Sequence, residues 1–335
     1  MTPFDLQKVD KQIYISELFE KSDVYFYPYA RYAFLEVLQK LSIKSIYLPA
    51  FICRDMLSPI NTLGITYFFY DVDETLSPLL EDVPCEAILM VNYFGFAQDM
   101  APFVKYKKKY SALIIEDNAH GFLSQDSDHK LLGSRGDVGL LSIRKTVFLP
   151  NGAALLINDE VLKNRGYESF QSMTSFEDVA YQKKLGIKRK IFSYYIGIGI
   201  VLARRLLRYL KTGSALPLPD KESEHTLPSN GYLTPLLQDK SIMLNIPQEI
   251  DRRKALYRMV QRWAKEFGLK CIYELDEGSV PFEFAFMGND RSKKFEFFLL
   301  KKGFFVLPWP DLPDEVLSGH CKDFYKNIKV IPFLW

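Results

Sequence analysis

Ile114–Gly121 reads IIEDNAHG, and Gly133–Asp159 reads GSRGDVGLLSIRKTVFLPNGAALLIND. Each stretch sets a short apolar run directly before a cluster of polar and ionisable residues. The run Ala112–Ile115 ends in Glu116-Asp117-Asn118-Ala119-His120-Gly121, and Leu140–Leu141 ends in Ser142-Ile143-Arg144-Lys145. Apolar runs of four to eight residues bounded by turn signals fit strands buried on both faces. Similar runs lie upstream at Ser45–Leu48, Thr66–Tyr70 and Ala87–Val91, separated by segments of helical length at Ala30–Leu41 and Pro102–Tyr110. Continuous apolar strands alternating with helices predict an α/β chain with a largely parallel sheet covered on both sides. Gly139–Ile143 and Ala153–Ile157 leave little room for helices between them, so a locally antiparallel pair is expected there.

The character changes near residue 160. Residues 160–212 read as helical and basic, and residues 213–235 as an exposed connection rich in Pro, Ser and Gly. Ile246–Phe267 reads as one long helix. A small α+β unit follows, with strands near Pro281–Met287 and Phe304–Leu307 and a helix near Arg291–Lys302. The expected division is a large domain over 1–235, with the basic apolar segment 186–212 inside it, and a small domain over 236–335.

Composition bounds the function. The chain has 335 residues, 48% hydrophobic and 25% charged, which suits a soluble protein with a sizeable core. A net charge of +2 gives no general attraction to nucleic acid. Four scattered cysteines, with no CxxC pair, argue against a metal site or a disulfide framework and point to a reducing, cytoplasmic compartment. The N-terminus has no apolar run suited to a signal peptide. Ile191–Ala203 is apolar, but its 13 residues fall short of the roughly 20 needed to cross a bilayer. Lys188, Arg189 and Lys190 precede it, and Arg204, Arg205 and Arg208 follow. It reads either as a buried or partner-facing helix with a basic rim, or as a weak membrane-surface contact through 188–208.

In an open α/β sheet, ligands gather at the carboxyl ends of the strands. Three groups stand there: Asp117 with His120, Ser142 with Lys145, and Ala30-Arg31 opening a helix after Val24–Tyr27. Pyridoxal-phosphate chemistry needs such parts. A lysine bonds the cofactor and shuttles a proton, a carboxylate faces the pyridine nitrogen, and a helix N-terminus with hydroxyl or basic groups holds the phosphate. Each residue also has an ordinary structural explanation: Asp117 as a cap or turn residue, His120 as a satisfied core histidine, Ser142 as a turn cap. Spacing alone leaves the function open.

The order of these motifs resembles the DegT/DnrJ/EryC1/StrS family of pyridoxal-phosphate-dependent aminotransferases. IIEDNAHG resembles its strand-plus-acid motif, and GSRGDVGLLSIRK its succession of Gly-Asp, Ser and Lys. FFYDVD (residues 68–73), VNYFG (Val91–Gly95) and VLPWPDLPDEV (Val306–Val316) also have counterparts. The resemblance implies the aspartate-aminotransferase type of fold, a large mixed sheet domain plus a small C-terminal domain, in a homodimer with the site at the interface. It implies that Lys145 is the Schiff-base lysine, Asp117 the partner of the ring nitrogen, and His120 the neighbour of the ring hydroxyl. Ser142, Ala30 and Arg31 would hold the phosphate and Phe51 would stack on the ring. Three features depart from the family pattern. Ala30-Arg31 replaces Gly-Thr, Asn151-Gly152-Ala153 replaces a double glycine, and Ser142 and Lys145 stand closer together. The expected activity passes an amino group from an amino acid to a keto group of a nucleotide-linked sugar, in surface-polysaccharide or secondary-metabolite synthesis. The family's sugar dehydratases carry histidine at the lysine position, which Lys145 does not match. A degenerate, non-catalytic protein that binds a partner or a membrane is the alternative.

Overall fold

The computed structural model describes residues 7–173, 179–181, 183, 185–187, 196–216, 218–229, 231–237 and 241–333. Lys188, Arg189 and Lys190, with the first part of the apolar stretch, lie outside the described residues.

Thirteen strands are described: β1 (Gln12–Tyr14), β2 (Asp23–Tyr27), β3 (Ser45–Pro49), β4 (Thr66–Val72), β5 (Pro78–Leu79), β6 (Ala87–Val91), β7 (Leu113–Asn118), β8 (Val138–Leu141), β9 (Ala153–Ile157), β10 (Ser241–Met243), β11 (Glu283–Met287), β12 (Leu307–Pro308) and β13 (Ile328–Pro332). Eight of them form one sheet in the order β2-β9-β8-β7-β6-β3-β4-β5. The five strands β8, β7, β6, β3 and β4 are mutually parallel, and the sheet turns antiparallel at both margins. The antiparallel β8–β9 pair expected from the short spacing is present, with Val138 opposite Ile157. β6 and β9 are buried at every residue, as their unbroken apolar sequence requires.

Strand order brings the polar strand ends together. β7 and β8 are neighbours in register, with Asp117 opposite Leu140 and Asn118 opposite Leu141. Val91 of β6 pairs with Asp117 on the other side. β2 runs antiparallel to β9, which itself runs antiparallel to β8, so β2 ends at the same edge as the parallel strands. The helix Ala30–Lys40 therefore starts beside the ends of β7 and β8. Gly139 is required where β8 passes the preceding turn, because a Cβ there would lie 1.9 Å from the Gly133 carbonyl oxygen.

The long helix runs from Ile246 to Glu266, capped by Asn245, whose side chain accepts from the Gln248 amide. β11, β13 and β12 form a separate three-stranded antiparallel sheet, beside which lies the helix Ser292–Lys301. β1 pairs with β10, tying the N-terminal segment to the chain entering the long helix. The connection over 213–235 is not exposed throughout. Glu224 is buried and accepts from Arg54, while Leu233 and Thr234 pack inside. Two contacts explain the difference: Glu224 is held by buried Arg54, which also meets Asp311 and Asp314, and Leu233 joins a hydrophobic cluster.

Candidate active site

Glu116 and Asp117 are adjacent acids at the end of one strand, and strand alternation sends them to opposite faces. Glu116 is fully buried and structural. It accepts from the Arg135 guanidinium and backbone amide and from Asn92, and it also accepts from the Gly136 amide. Asp117 instead faces a cleft of about 610 Å³, counting its open mouth, which is also lined by Tyr29, Ala30, Arg31, His120, Ser142, Lys145 and Trp309. One Asp117 oxygen accepts from the Ala119 amide at 3.0 Å. Burial raises the pKa of Asp117, and the Lys145 charge opposes that shift.

Lys145 stands on the short helix Ile143–Thr146, directly after β8. Its Nζ lies 3.2 Å from His120 Nε2. The other ring nitrogen, Nδ1, accepts from the Phe94 amide at 3.3 Å. Burial pushes the His120 pKa well down, and the Lys145 charge adds to this, so the ring is neutral. A neutral imidazole that accepts at Nδ1 carries its proton on Nε2. It therefore turns Nε2–H toward the lysine nitrogen, which can accept it only when the amine is uncharged. Phe94 and Phe282 stack on the ring, and Trp309 meets it edge-on. Phe94 has φ of 58°, an uncommon conformation for an aromatic residue, and it is the backbone that presents the amide to His120.

At the other end of the cleft the charges are positive. Arg31 lies at the start of the helix Ala30–Lys40, which has no side-chain cap, and its guanidinium is 3.7 Å from Asp55. Arg144 lies over the Tyr29 ring, and burial lowers its pKa while Tyr29 and Asp55 act in the opposite sense. Free helix-terminal amides, two guanidinium groups and the Ser142 hydroxyl make a donor set suited to a phosphate.

The fold thus brings together Ala30, Arg31, Asp117, His120, Ser142 and Lys145 on one cleft. It does not bring Phe51 there. Phe51 is fully buried behind the cleft, with Trp309, Tyr325 and Tyr93 at 5.2, 5.1 and 5.6 Å between ring centroids. Ile52 and Cys53 line the cleft in its place. The apolar segment after β3 turns so that its largest ring enters the core. Arg144, Trp309 and Glu283 were not singled out from the sequence. Arg144 is signalled only by its adjacency to Lys145, and Trp309 comes from a distant part of the chain.

Glu283 had a signal: it is a lone acid in the apolar run PFEFAFM. It is buried, and its Oε2 has no hydrogen-bond partner among the described residues. Burial pushes its pKa up to about 7, against the pull of Lys145 and then Arg253. A carboxyl raised in the fold contributes stability that is full below its ordinary value of 4.5 and is lost as pH rises through about 7. Glu283→Gln should therefore match the wild type near pH 4 and exceed its stability by roughly 3 kcal/mol at pH 8. Denaturant melts of both proteins across this range test it; parallel curves would mean that Glu283 does not carry this burial cost.

The helix bearing Lys145 is held from behind. The Thr146 carbonyl accepts from Gln7 and from Arg253, and both donors also bond Glu249. Arg253 and Arg252 hold the Glu249 pKa down to about 2 in spite of its burial. This buried network connects the long helix to the lysine.

The comparisons bear on the same residues. Residues 58–211 match the model of the DegT/DnrJ/EryC1/StrS aminotransferase family, a span that contains Asp117, His120, Ser142 and Lys145. Over that span, a little under half of the chain, the protein is similar to this family. The whole fold also has solved counterparts. Helicobacter pylori PseC, described as an aminotransferase involved in the biosynthesis of pseudoaminic acid, is 15% identical, with a TM-score of 0.61 over 95% of this chain and 83% of that one. Escherichia coli GDP-4-keto-6-deoxy-D-mannose-3-dehydratase, solved with bound hydrated PLP, is 17% identical, with a TM-score of 0.59 over 95% and 85%. DesV from S. venezuelae, in complex with a ketimine intermediate, is 16% identical, with a TM-score of 0.60 over 95% and 82%. The fold expected from the motifs, the aspartate-aminotransferase type with a mixed, mostly parallel sheet, is the fold found.

Proposed function

We propose that this chain is a pyridoxal 5'-phosphate-dependent aminotransferase that moves an amino group from an amino-acid donor to a keto group of a nucleotide-linked sugar. The observation that carries this reading is the placement of the Lys145 amine and the Asp117 carboxylate on one cleft, from adjacent parallel strands. The donor set at the cleft's other end fits the cofactor's phosphate, and Asp117 fits its ring nitrogen. When bound, the cofactor supplies an electron sink for the bonds of the amino-bearing carbon.

The chain's own residues do the rest. Lys145 Nζ makes the covalent link and, once released, takes and returns the proton of the substrate carbon. His120 lies beside the amine and holds its position through Nε2. Asp117 stays anionic against a cationic partner, and burial in the cleft strengthens that attraction. Arg31, Arg144, Ser142 and the first amides of the helix Ala30–Lys40 bind the phosphate. Lysine at position 145 favours amine transfer over dehydration. Relatives described with sugar substrates or products, such as DesI with its TDP-sugar product, support the acceptor class. The reading includes a homodimer whose second copy closes the open side of the cleft.

Borohydride reduction after addition of the cofactor, with mass mapping, tests the proposal. The expected result is a single adduct on Lys145, together with amine transfer from glutamate to a nucleotide-linked keto sugar. An adduct on Lys145 without transfer to any such sugar would reject the acceptor class; no adduct on a folded chain would reject the enzyme.

A further inference from the structure

Charge in this chain is strongly segregated. Residues 179–219 hold nine Lys and Arg and no Asp or Glu, whereas the remaining residues hold thirty-four basic and forty-one acidic ones. Inside that window lies the helix Ile196–Thr212, IGIGIVLARRLLRYLKT. At 3.6 residues per turn, Leu202, Leu206, Tyr209 and Leu210 fall within an arc of about 100°, and Leu207 widens it. Arg204, Arg205, Arg208 and Lys211 fill the remaining arc, with Lys211 and Arg204 next to Leu207.

The orientation of this helix is the reverse of an ordinary surface helix. Part of its basic side meets the protein: the Arg205 guanidinium lies over the Phe305 ring at 4.8 Å, and Arg208 donates to the Ala215 carbonyl. Its apolar side faces outward. Leu206, Leu207, Tyr209 and Leu210 are 59, 58, 56 and 71% exposed, and Leu202 is 41% exposed. Phe297, exposed beside Lys293 and under Lys301, borders the same groove as Arg205 and extends the apolar surface. A contiguous apolar patch of this kind marks an interaction surface.

We propose that this face docks the protein on an anionic phospholipid bilayer, with the helix lying along the surface and its leucines in the headgroup region. The helix is about 25 Å long at 1.5 Å per residue and carries four basic residues, so it does not cross the bilayer. No described helix is long and apolar enough to do so. Charge selects the occupant. Arg204 and Lys211 lie beyond Leu207 along one edge of the apolar arc and are exposed, with no acid on the helix to neutralise them. Two copies packed face to face would bring these uncompensated basic flanks together, whereas anionic headgroups neutralise them. The inference is independent of the catalytic reading.

The test is co-sedimentation of the full chain with vesicles of phosphatidylcholine alone, or with about a third phosphatidylglycerol. The expected result is binding to the anionic vesicles that weakens with salt and is at least about tenfold stronger than to the neutral ones. Leu206→Glu/Leu210→Glu should lower partitioning by about tenfold or more by removing the inserted face. Arg204→Gln/Lys211→Gln should lower it roughly 25-fold, about fivefold per charge, on anionic vesicles alone. All four positions are exposed, and an unchanged melting temperature confirms folding. Equal partitioning to both vesicle types, or variants that bind like the wild type, would overturn the proposal. So would a dimer that Leu206→Glu/Leu210→Glu converts to monomer without changing vesicle binding, which would assign the face to a second copy.

Discussion

Lys145→Ala should abolish amine transfer, with a loss of about 10⁴-fold or more, and should remove the borohydride-trapped adduct at the same time. Two functions leave with one nitrogen. The covalent link goes, and so does the base positioned over the reacting carbon. The side chain is only partly buried, at the end of a four-residue helix whose last carbonyl is held by Gln7 and Arg253. Alanine leaves those bonds untouched, so the fold should persist and the loss should be chemical. His120 would then face an empty position. A small amine in the buffer should restore a fraction of the lost rate, because the vacated space adjoins an Nε2–H able to orient it. A variant within tenfold of the wild type would remove Lys145 from the reaction.

Asp117→Asn should lower kcat/KM about 10³-fold while leaving the protein folded. Asparagine keeps an oxygen to accept from the Ala119 amide and loses only the charge. That charge is buried, and burial already raises the Asp117 pKa, with Lys145 acting against it. The carboxylate therefore gains most from a cation placed beside it, which is the role assigned to the protonated ring nitrogen. The measurement is steady-state kinetics at several pH values together with cofactor affinity. A loss of affinity with unchanged kcat would make Asp117 a binding group only, and unchanged kinetics would remove it from the site. The neighbouring Glu116 differs by one position and belongs to the Arg135 pair on the other face.

The alternative of a degenerate, non-catalytic chain drew on two features, and the structure separates them. Arg31 replaces a small residue yet lies at the cleft, at the helix start where a phosphate group is expected, with Asp55 nearby. The described helix of the apolar basic segment, Ile196–Thr212, contributes no residue to the lining of the cleft. Surface docking and catalysis are therefore compatible in one chain. The vesicle experiment tests the docking and the borohydride experiment the chemistry, so each can fail without the other.

Sequence by itself determined the strand series, because unbroken apolar runs such as AILMV and AALLI have few alternatives to a sheet buried on both faces. It also determined that Asp117, His120, Ser142 and Lys145 follow strands, which places them at one edge of any parallel sheet. The short β8–β9 spacing gave the antiparallel pair for the same local reason. Tertiary structure alone decided what depends on contacts across the chain. Phe51 went to the core because Trp309 and Tyr325, more than 250 residues away, surround it. The His120 tautomer follows from the Phe94 amide, and the buried cost of Glu283 from the absence of a partner for one oxygen. The 213–235 connection is anchored because Arg54 needed a buried carboxylate, which Glu224 supplies. Local pattern fixes which face of an element is apolar; only packing between distant segments fixes which of those faces is covered, and on the helix Ile196–Thr212 it left one uncovered.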